Sequence, residues 1–147
     1  MKIYIGADHN GFRLKQSLVR FLKENNYDVE DEGDNHLDPD DDFPQFAGRV
    51  AAAVKASSDK DARGILLCGS GQGMAIAANR YKGIFAILAF SKKAAIESRQ
   101  EDNANVLCLP ARHLAEREMN AITIAWLETE FLAAPRYIRR LKQIDEL

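Results

Sequence analysis

Gly64-Ile65-Leu66-Leu67-Cys68-Gly69-Ser70-Gly71-Gln72-Gly73 is the stretch that decides how the rest of the chain is interpreted. An apolar run ends in Cys68, three alternating glycines follow, and a helix-like segment, Met74–Arg80, comes next. This order is typical of a buried strand, a tight turn and the start of a helix. Such a turn aims backbone N–H groups outward beside the positive end of the helix dipole, which makes an anion site and favours a cysteine thiolate. A glycine-rich turn beside a structural cysteine is the alternative interpretation.

Short apolar strands alternate with amphipathic segments along the chain. The predicted strands are Lys2–Gly6, Tyr27–Asp31, Gly64–Leu67, Phe85–Ala89 and Val106–Leu109. In the segments between them apolar residues recur at helical spacing, as Phe46, Val50 and Val54 do. The alternation predicts βαβ crossovers, and therefore an α/β fold: a Rossmann-like three-layer α/β/α sandwich with a five-stranded parallel sheet. A length of 147 residues suits one domain with a single core.

Composition and charge exclude several classes of protein. The net charge of −2 gives no general affinity for nucleic acid or membranes, and no apolar run approaches the roughly 20 residues of a membrane span. The two cysteines predict free thiols in a reducing cytoplasm, and the three histidines show no metal-ligand spacing. The acidic run at residues 38–42 is interpreted as a solvated loop, with a cation site as the lesser alternative.

Polar side chains follow several predicted strands at the edge where parallel sheets bind ligands. The first strand runs into Asp8 and His9, the third into Cys68 and its turn, and the fourth ends near residues 89–91. We therefore expect a carboxylate, an imidazole, a thiol and backbone amides to line one crevice. Helix capping is the alternative role for Asp8 and His9.

The C-terminal segment, residues 135–147, is basic and helix-like. Arg136 and Arg140 are four residues apart and share a helix face, an arrangement that suits a phosphate dianion. The alternative is a surface tail in which the arginines pair with acids such as Asp145 or Glu146.

These motifs together resemble the type B ribose-5-phosphate isomerases and the related galactose-6-phosphate isomerase subunits. They occur in the family's order over essentially the whole chain. The matching elements are Gly6–Phe12, Asp42-Phe43-Pro44, Gly64–Gly73, Ile76–Asn79, Asn103–Leu107 and the arginine tail.

The resemblance implies an aldose–ketose isomerase that works on a phosphorylated monosaccharide through an enediolate, with no metal or organic cofactor. It makes Cys68 the proton carrier, Ser70 the residue that orients the thiol or the carbonyl region, and Glu101 the residue at the ring-opening position. The substrate-binding positions that it implies are Asp8, His9, Phe43, Gly69, Gly71, Gln72, Gly73, Asn103, Arg112, Arg136 and Arg140. Because the family's sites lie between subunits, it also implies a homodimer or a dimer of dimers, in which residues 135–147 pack on a partner.

Three positions depart from the family's pattern. Glu101 stands where many members carry a ring-opening histidine, Phe43 replaces a tyrosine, and Tyr137 replaces a histidine. A glutamate has an ordinary pKa of about 4.3, so acid catalysis near neutral pH needs burial or a like charge, which Asp102 could supply. The alternative is that Glu101 is a solvated carboxylate and that His9, Asp8 or water opens the ring.

Ribose 5-phosphate is the substrate that the resemblance favours. The altered polar groups leave open a six-carbon aldose phosphate, a role as half of a hetero-oligomer, and a non-catalytic sugar-phosphate-binding protein. Retention of Cys68 speaks against binding alone. A low-molecular-weight phosphatase would carry an arginine about six residues after its cysteine, where this chain has Met74.

Overall fold

The computed structural model describes all 147 residues, Met1–Leu147, and its elements alternate as predicted. The strands are β1 (Lys2–Ala7), β2 (Asp28–Asp31), β3 (Arg63–Cys68), β4 (Ala86–Leu88) and β5 (Val106–Pro110). The helices are α1 (Phe12–Glu24), α2 (Phe43–Ala56), α3 (Gln72–Ala78), α4 (Lys92–Asp102), α5 (Glu116–Glu128) and α6 (Pro135–Asp145). None of the six helices combines the length and apolar character that a membrane crossing requires.

All five strands are parallel and form one sheet in the order β2-β1-β3-β5-β4. Both faces of the sheet are covered, which is why all six residues of β3 are buried. One apolar cluster, which includes Leu18, Leu22 and Trp126, packs α1 and α5 on one face. A second cluster, which includes Phe46 and Met74, packs α2 and α3 on the other. The predicted three-layer α/β/α sandwich is therefore confirmed.

The sheet order fixes where a ligand crevice forms. The chain adds β2 on one side of β1 and then returns to add β3 on the other side, so the carboxyl ends of β1 and β3 border the switch point of the sheet. Asp8 follows β1, and Cys68 is the last residue of β3. The chain thus brings these two side chains to the same crevice.

Two expectations about local structure need correction. The sequence pattern places the end of the fourth strand beside the crevice, but β5 lies between β4 and β3, so Pro110 rather than residues 89–91 borders Cys68. The same pattern predicts that the helix that follows the glycine turn begins at Met74. The helix starts at Gln72, because Gly71 already takes the left-handed conformation that ends the turn, with φ of 75°.

Candidate active site

Cys68 lies at the end of β3, where the glycine turn folds back toward its side chain. The backbone N–H of Gly71 donates a hydrogen bond to Cys68 Sγ over 3.1 Å. A Cβ atom at residue 71 would overlap Leu88 Cδ1, so both the space and the positive φ require glycine. The backbone carbonyl of Cys68 accepts from the Ala111 N–H over 2.9 Å, which ties the turn to the end of β5.

Each of the other two glycines of the turn accommodates a large side chain. An ideal Cβ at Gly69 would lie 2.9 Å from the Arg112 guanidinium, and the Arg112 backbone N–H donates to the Gly69 carbonyl over 3.0 Å. An ideal Cβ at Gly73 would lie 2.7 Å from the ring of Phe43. Arg112 and Phe43 can therefore approach the turn closely only because both positions lack a side chain.

Ser70 and Gln72 complete the turn. The Ser70 hydroxyl accepts from the Gln72 N–H over 3.4 Å, and the Cys68 thiol is not its partner in this structure. Ser70 is partly exposed, and it lies at the same edge of the sheet as the sulfur. Gly73 lies within α3, so its N–H belongs to the first turn of that helix rather than to the loop.

Asp8 is buried at the end of β1, and only one of its two carboxylate oxygens is hydrogen-bonded within the chain. Its backbone N–H donates to the Leu67 carbonyl over 3.2 Å, which joins the ends of β1 and β3. Oδ1 accepts from the N–H groups of Asn10 and Gly11 over 2.9 and 3.1 Å, so the capping role is present. Oδ2 makes no hydrogen bond within the chain, and this oxygen is left for a ligand.

His9 is held by a carboxylate that the sequence did not single out. Its Nδ1 and its backbone N–H lie 2.7 and 3.0 Å from Asp41 Oδ1. Only 6% of the Asp41 side chain is exposed, so this member of the acidic run is not solvated as expected. The hydrogen bond to Asp41 raises the pKa of His9, burial opposes the rise, and the charge of Asp8 adds to it.

Asn10 extends this contact to Arg112. Its amide nitrogen lies 2.9 Å from His9 Nε2, and its amide oxygen accepts from Arg112 Nη2 over 3.0 Å. A chain of hydrogen bonds therefore runs from Asp41 through His9 and Asn10 to the guanidinium above Gly69. The sequence motif contained Asn10 but gave it no role.

The remaining predicted residues form a second group, on α4 and α6. Glu101 and Asp102 end α4, and Arg136 and Arg140 lie exposed on α6. Burial first, and the neighbouring charge of Glu101 second, raise the pKa of Asp102, while the charge of Arg140 opposes the rise. The charge of Glu101 also contributes to a raised pKa of Arg136, whose main cause is its hydrogen bond to the Tyr137 hydroxyl.

The arginines of α6 form no ion pair within the chain. Asp145 accepts from the Gly83 N–H over 3.1 Å, and Glu146 faces Lys142. The structure therefore contradicts the alternative in which these two acids pair with the tail arginines. The guanidinium groups of Arg136 and Arg140 are left without a carboxylate partner.

The two groups lie at opposite ends of the strands: the first group at the carboxyl ends, which form the carboxyl edge of the sheet, and the second at the amino ends, which form its amino edge. Arg99 of α4 donates to Asn103 Oδ1 over 3.0 Å, and burial together with the charge of Arg63 lowers its pKa to about 10. Arg63 begins β3 and Cys68 ends it, a separation of about 16 Å at 3.3 Å per residue. Arg63, Arg99 and Asn103 line a cavity of about 890 Å³ at that amino edge. Within one chain, the residues around Asn103 are remote from the thiol.

Two further observations bear on the chemistry of the site. Cys108 is fully buried in the middle of β5, and burial raises the pKa of its thiol, so it is a packing residue. No three His, Cys, Asp or Glu side chains are grouped so as to hold a metal ion.

Comparison with known proteins agrees with the fold and with the sequence motifs. A family model described as Ribose/Galactose Isomerase matches residues 3–144. A probable ribose-5-phosphate isomerase B from Mycoplasma genitalium is 44% identical over 142 residues, which cover 97% of this chain and 92% of that protein. Ribose-5-phosphate isomerase B from Mycobacterium tuberculosis is 37% identical over 146 residues, which cover 99% of this chain and 89% of that protein.

Solved structures show the same relationship in three dimensions. The crystal structure of ribose-5-phosphate isomerase B from Mycoplasma genitalium with bound ribulose-5-phosphate has a TM-score of 0.93 and 43% identity, and covers 99% of this chain and 94% of that one. The type B ribose 5-phosphate isomerase of Trypanosoma cruzi has a TM-score of 0.91 and 33% identity, and covers 99% and 97% of the two chains. The resemblance expected from the motifs is confirmed, and this chain belongs to the ribose/galactose isomerase family.

Proposed function

We propose that this protein is an aldose–ketose isomerase that interconverts ribose 5-phosphate and ribulose 5-phosphate. The observation that carries the proposal is the position of Cys68 at the sheet's switch point, where its sulfur accepts from the Gly71 N–H beside Asp8. A protein that only bound a sugar phosphate would need no thiol at that point. The relatives named above, which are ribose-5-phosphate isomerases by name, support the same substrate.

The reaction needs one base that returns the proton it takes. The Cys68 thiolate removes the proton from C2 of the open-chain aldose, and the electron pair of that bond moves toward the carbonyl oxygen at C1. The resulting enediolate is stabilised by backbone N–H groups of the turn from Gly69 to Gly73, as in an oxyanion hole. Without substrate, the N–H groups of Gly71 and Gln72 donate to Cys68 Sγ and Ser70 Oγ, so these two must turn to the oxyanion when it forms. Cys68 then delivers that proton to C1, and the hydroxyl proton of O2 moves to O1, so that C1 carries a hydroxyl and O2 becomes the ketose carbonyl oxygen. Ser70 orients the reacting oxygen, and the free Oδ2 of Asp8 accepts from a sugar hydroxyl.

The phosphate is bound by arginines from two subunits. Arg112 lies over the glycine turn of its own chain, at the carboxyl edge of the sheet. Arg136 and Arg140 belong to the second group of residues, at the amino ends of the strands. They reach a site only when the amino ends of a partner's strands lie against the carboxyl ends of this chain's strands. Both are exposed and free of carboxylates, as groups that receive a phosphate should be.

For the same reason the proposed active species is a homodimer or a dimer of dimers. Glu101 and Asn103 share the remote edge with the arginines, so the partner supplies them too, although the Asn103 amide oxygen is already used by Arg99. Ile138 and Ile144 of α6 are 52% and 51% exposed, which gives the partner an apolar surface to cover. Both cysteines are unpaired, which supports the cytoplasm as the compartment.

A substrate panel tests the proposed function. The protein is incubated separately with ribose 5-phosphate, with allose and galactose 6-phosphates and with unphosphorylated ribose, and ketose formation is followed. We expect ribose 5-phosphate to have the highest kcat/KM and unphosphorylated ribose to be converted poorly, because the arginines then have no dianion to bind. A six-carbon phosphate with the higher kcat/KM would reassign the substrate, and binding without any conversion would make this a binding protein.

A further inference from the structure

The hydrogen bonds from Asp41 to Arg112 are compatible with only one arrangement of protons. A carboxylate only accepts, so His9 carries its proton on Nδ1 and donates it to Asp41. In the neutral ring, Nε2 is then an acceptor and takes the amide N–H of Asn10. The Asn10 oxygen is left facing Arg112, whose Nη2 donates to it.

Protonation of His9 breaks the last hydrogen bond of this arrangement, the one between Asn10 and Arg112. Once Nε2 carries a proton, two donors face each other between His9 and Asn10. The amide must turn so that its oxygen accepts from Nε2–H, and its NH₂ group then points at the Arg112 guanidinium, which has only donors. The hydrogen bond that holds Arg112 in place is lost, although Asp41 stays bound throughout.

The charged groups around His9 come from three elements. Asp8 follows β1, Asp41 precedes α2 and Arg112 follows β5. The two carboxylates favour the imidazolium and the guanidinium opposes it, with the direct bond to Asp41 dominant. The net result is a pKa of His9 above its ordinary value of 6.5.

We propose that Asp41 and Asn10 are positioning residues that make the grip of Arg112 on the substrate phosphate depend on the protonation state of His9. The inference rests on the proposed function for its substrate, but not for its geometry. Neutral His9 leaves Arg112 anchored above Gly69, and charged His9 releases it.

Kinetics over a range of pH test the coupling. With ribose 5-phosphate, we expect KM to rise about three- to tenfold as pH falls through the His9 pKa, which corresponds to one ordinary hydrogen bond. Asp41→Asn keeps an acceptor for Nδ1–H but removes the charge, so the rise should move about one pH unit lower. Asn10→Asp offers acceptors to both Nε2–H and Arg112, so the rise should largely disappear.

A matched control removes one negative charge from the same acidic run without removing the hydrogen bond to His9. Asp40 is exposed, and its side chain makes no hydrogen bond within the chain, so Asp40→Asn should follow the wild-type profile. Because all variants use the same substrate, the ionisation of its phosphate cancels in the comparison. A KM profile unchanged in Asn10→Asp, or equally shifted in Asp40→Asn, would overturn the proposal.

Imidazole nitrogen NMR tests the geometry without any turnover. The chain has three histidines, and above its pKa His9 should be the one with the proton on Nδ1, the minor form of a free imidazole. Asp41→Ala should remove that signature. Sulfate, whose charge is constant in this range, replaces the substrate as the binding probe if ribose 5-phosphate is not converted. That result would reject the proposed function alone, whereas a His9 protonated on Nε2 would reject the coupling alone.

Discussion

At the scale of single residues, position decides what each titratable group can do. Cys68 and Cys108 are the same residue type on neighbouring strands. Cys68 ends its strand and accepts a backbone N–H, whereas Cys108 is enclosed in mid-strand, where burial raises the pKa of its thiol. Cys68 is 5% exposed and Cys108 is fully buried, and the proposed mechanism therefore gives the proton transfer to Cys68.

The contact between His9 and Asp41 predicts how stability changes with pH. The pKa of His9 is raised in the folded protein above the ordinary value of 6.5. Its contribution to stability is therefore fully present below pH 6.5 and is lost as pH rises through the folded-state pKa. Asp41→Asn should lower the free energy of unfolding in urea more at about pH 6 than at about pH 9. An equal loss at both values would mean that the charge of Asp41 is not what raises the pKa.

Glu101 is predicted to be the ring-opening group, supplied by the partner and assisted by Asp102. Glu101→Gln should then slow the turnover of a cyclic substrate much more than that of a shorter sugar phosphate that cannot cyclise. Its pH–rate profile should also lose one ionisation. Glu97→Gln is the matched control, because Glu97 lies one helical turn earlier and is exposed. Equal slowing of both substrates would assign ring opening to His9 instead.

At the scale of elements, the turn between β3 and α3 depends on its middle glycine. Gly71→Ala meets two costs: a positive φ, which is unfavourable by about 1–2 kcal/mol for a residue with a Cβ, and overlap with Leu88. Gly83 has a similar φ of 80°, but a Cβ at that position would have nothing within 4 Å, so Gly83→Ala isolates the first cost. Urea unfolding should show the larger loss for Gly71→Ala, and only that variant should also lose activity. Equal losses would mean that Leu88 moves freely.

The elements also show which features a sequence can predict. The strands and helices agree with the sequence pattern to within a few residues. Apolar residues recur at a different spacing in a helix than in a strand, so the pattern shows where one ends and the other begins. The place of β4 at the edge does not follow from that pattern, because hydrophobic periodicity does not encode the order of buried strands. Asp41 escapes prediction for a related reason: it contacts His9 across 32 residues of chain, and its neighbours in the acidic run are indistinguishable from it in sequence.

At the scale of the whole molecule, the predicted site residues occur as two separate halves. The thiol half lies at the carboxyl edge of the sheet, and the half with Arg136 lies at the amino edge, about 16 Å away along β3. The family resemblance assigns both halves to one site. The distance between them is what makes a shared site between subunits the consistent arrangement.

Mixed oligomers test this arrangement. Cys68→Ala and Arg136→Ala homo-oligomers should each have little activity, since each lacks one half of every site. After subunit exchange, a hybrid dimer contains one site with both halves intact, so activity should return to as much as about a quarter of the wild-type value for random pairing of equal amounts. Exchange demonstrated by mass spectrometry without recovered activity would show that each site is built from one chain.

Deuterium exchange tests most directly whether Cys68 moves the proton between C1 and C2. Ribose 5-phosphate is incubated in deuterated water with the wild type, Cys68→Ala and Cys108→Ala, and ketose formation and deuterium at C1 and C2 are followed by NMR. The wild type and Cys108→Ala should form ribulose 5-phosphate, with solvent deuterium on the transferred position. Cys68→Ala should bind the substrate, but it should neither convert it nor exchange its C2 proton. Conversion by Cys68→Ala at a rate within about tenfold of the wild type would show that another group moves the proton.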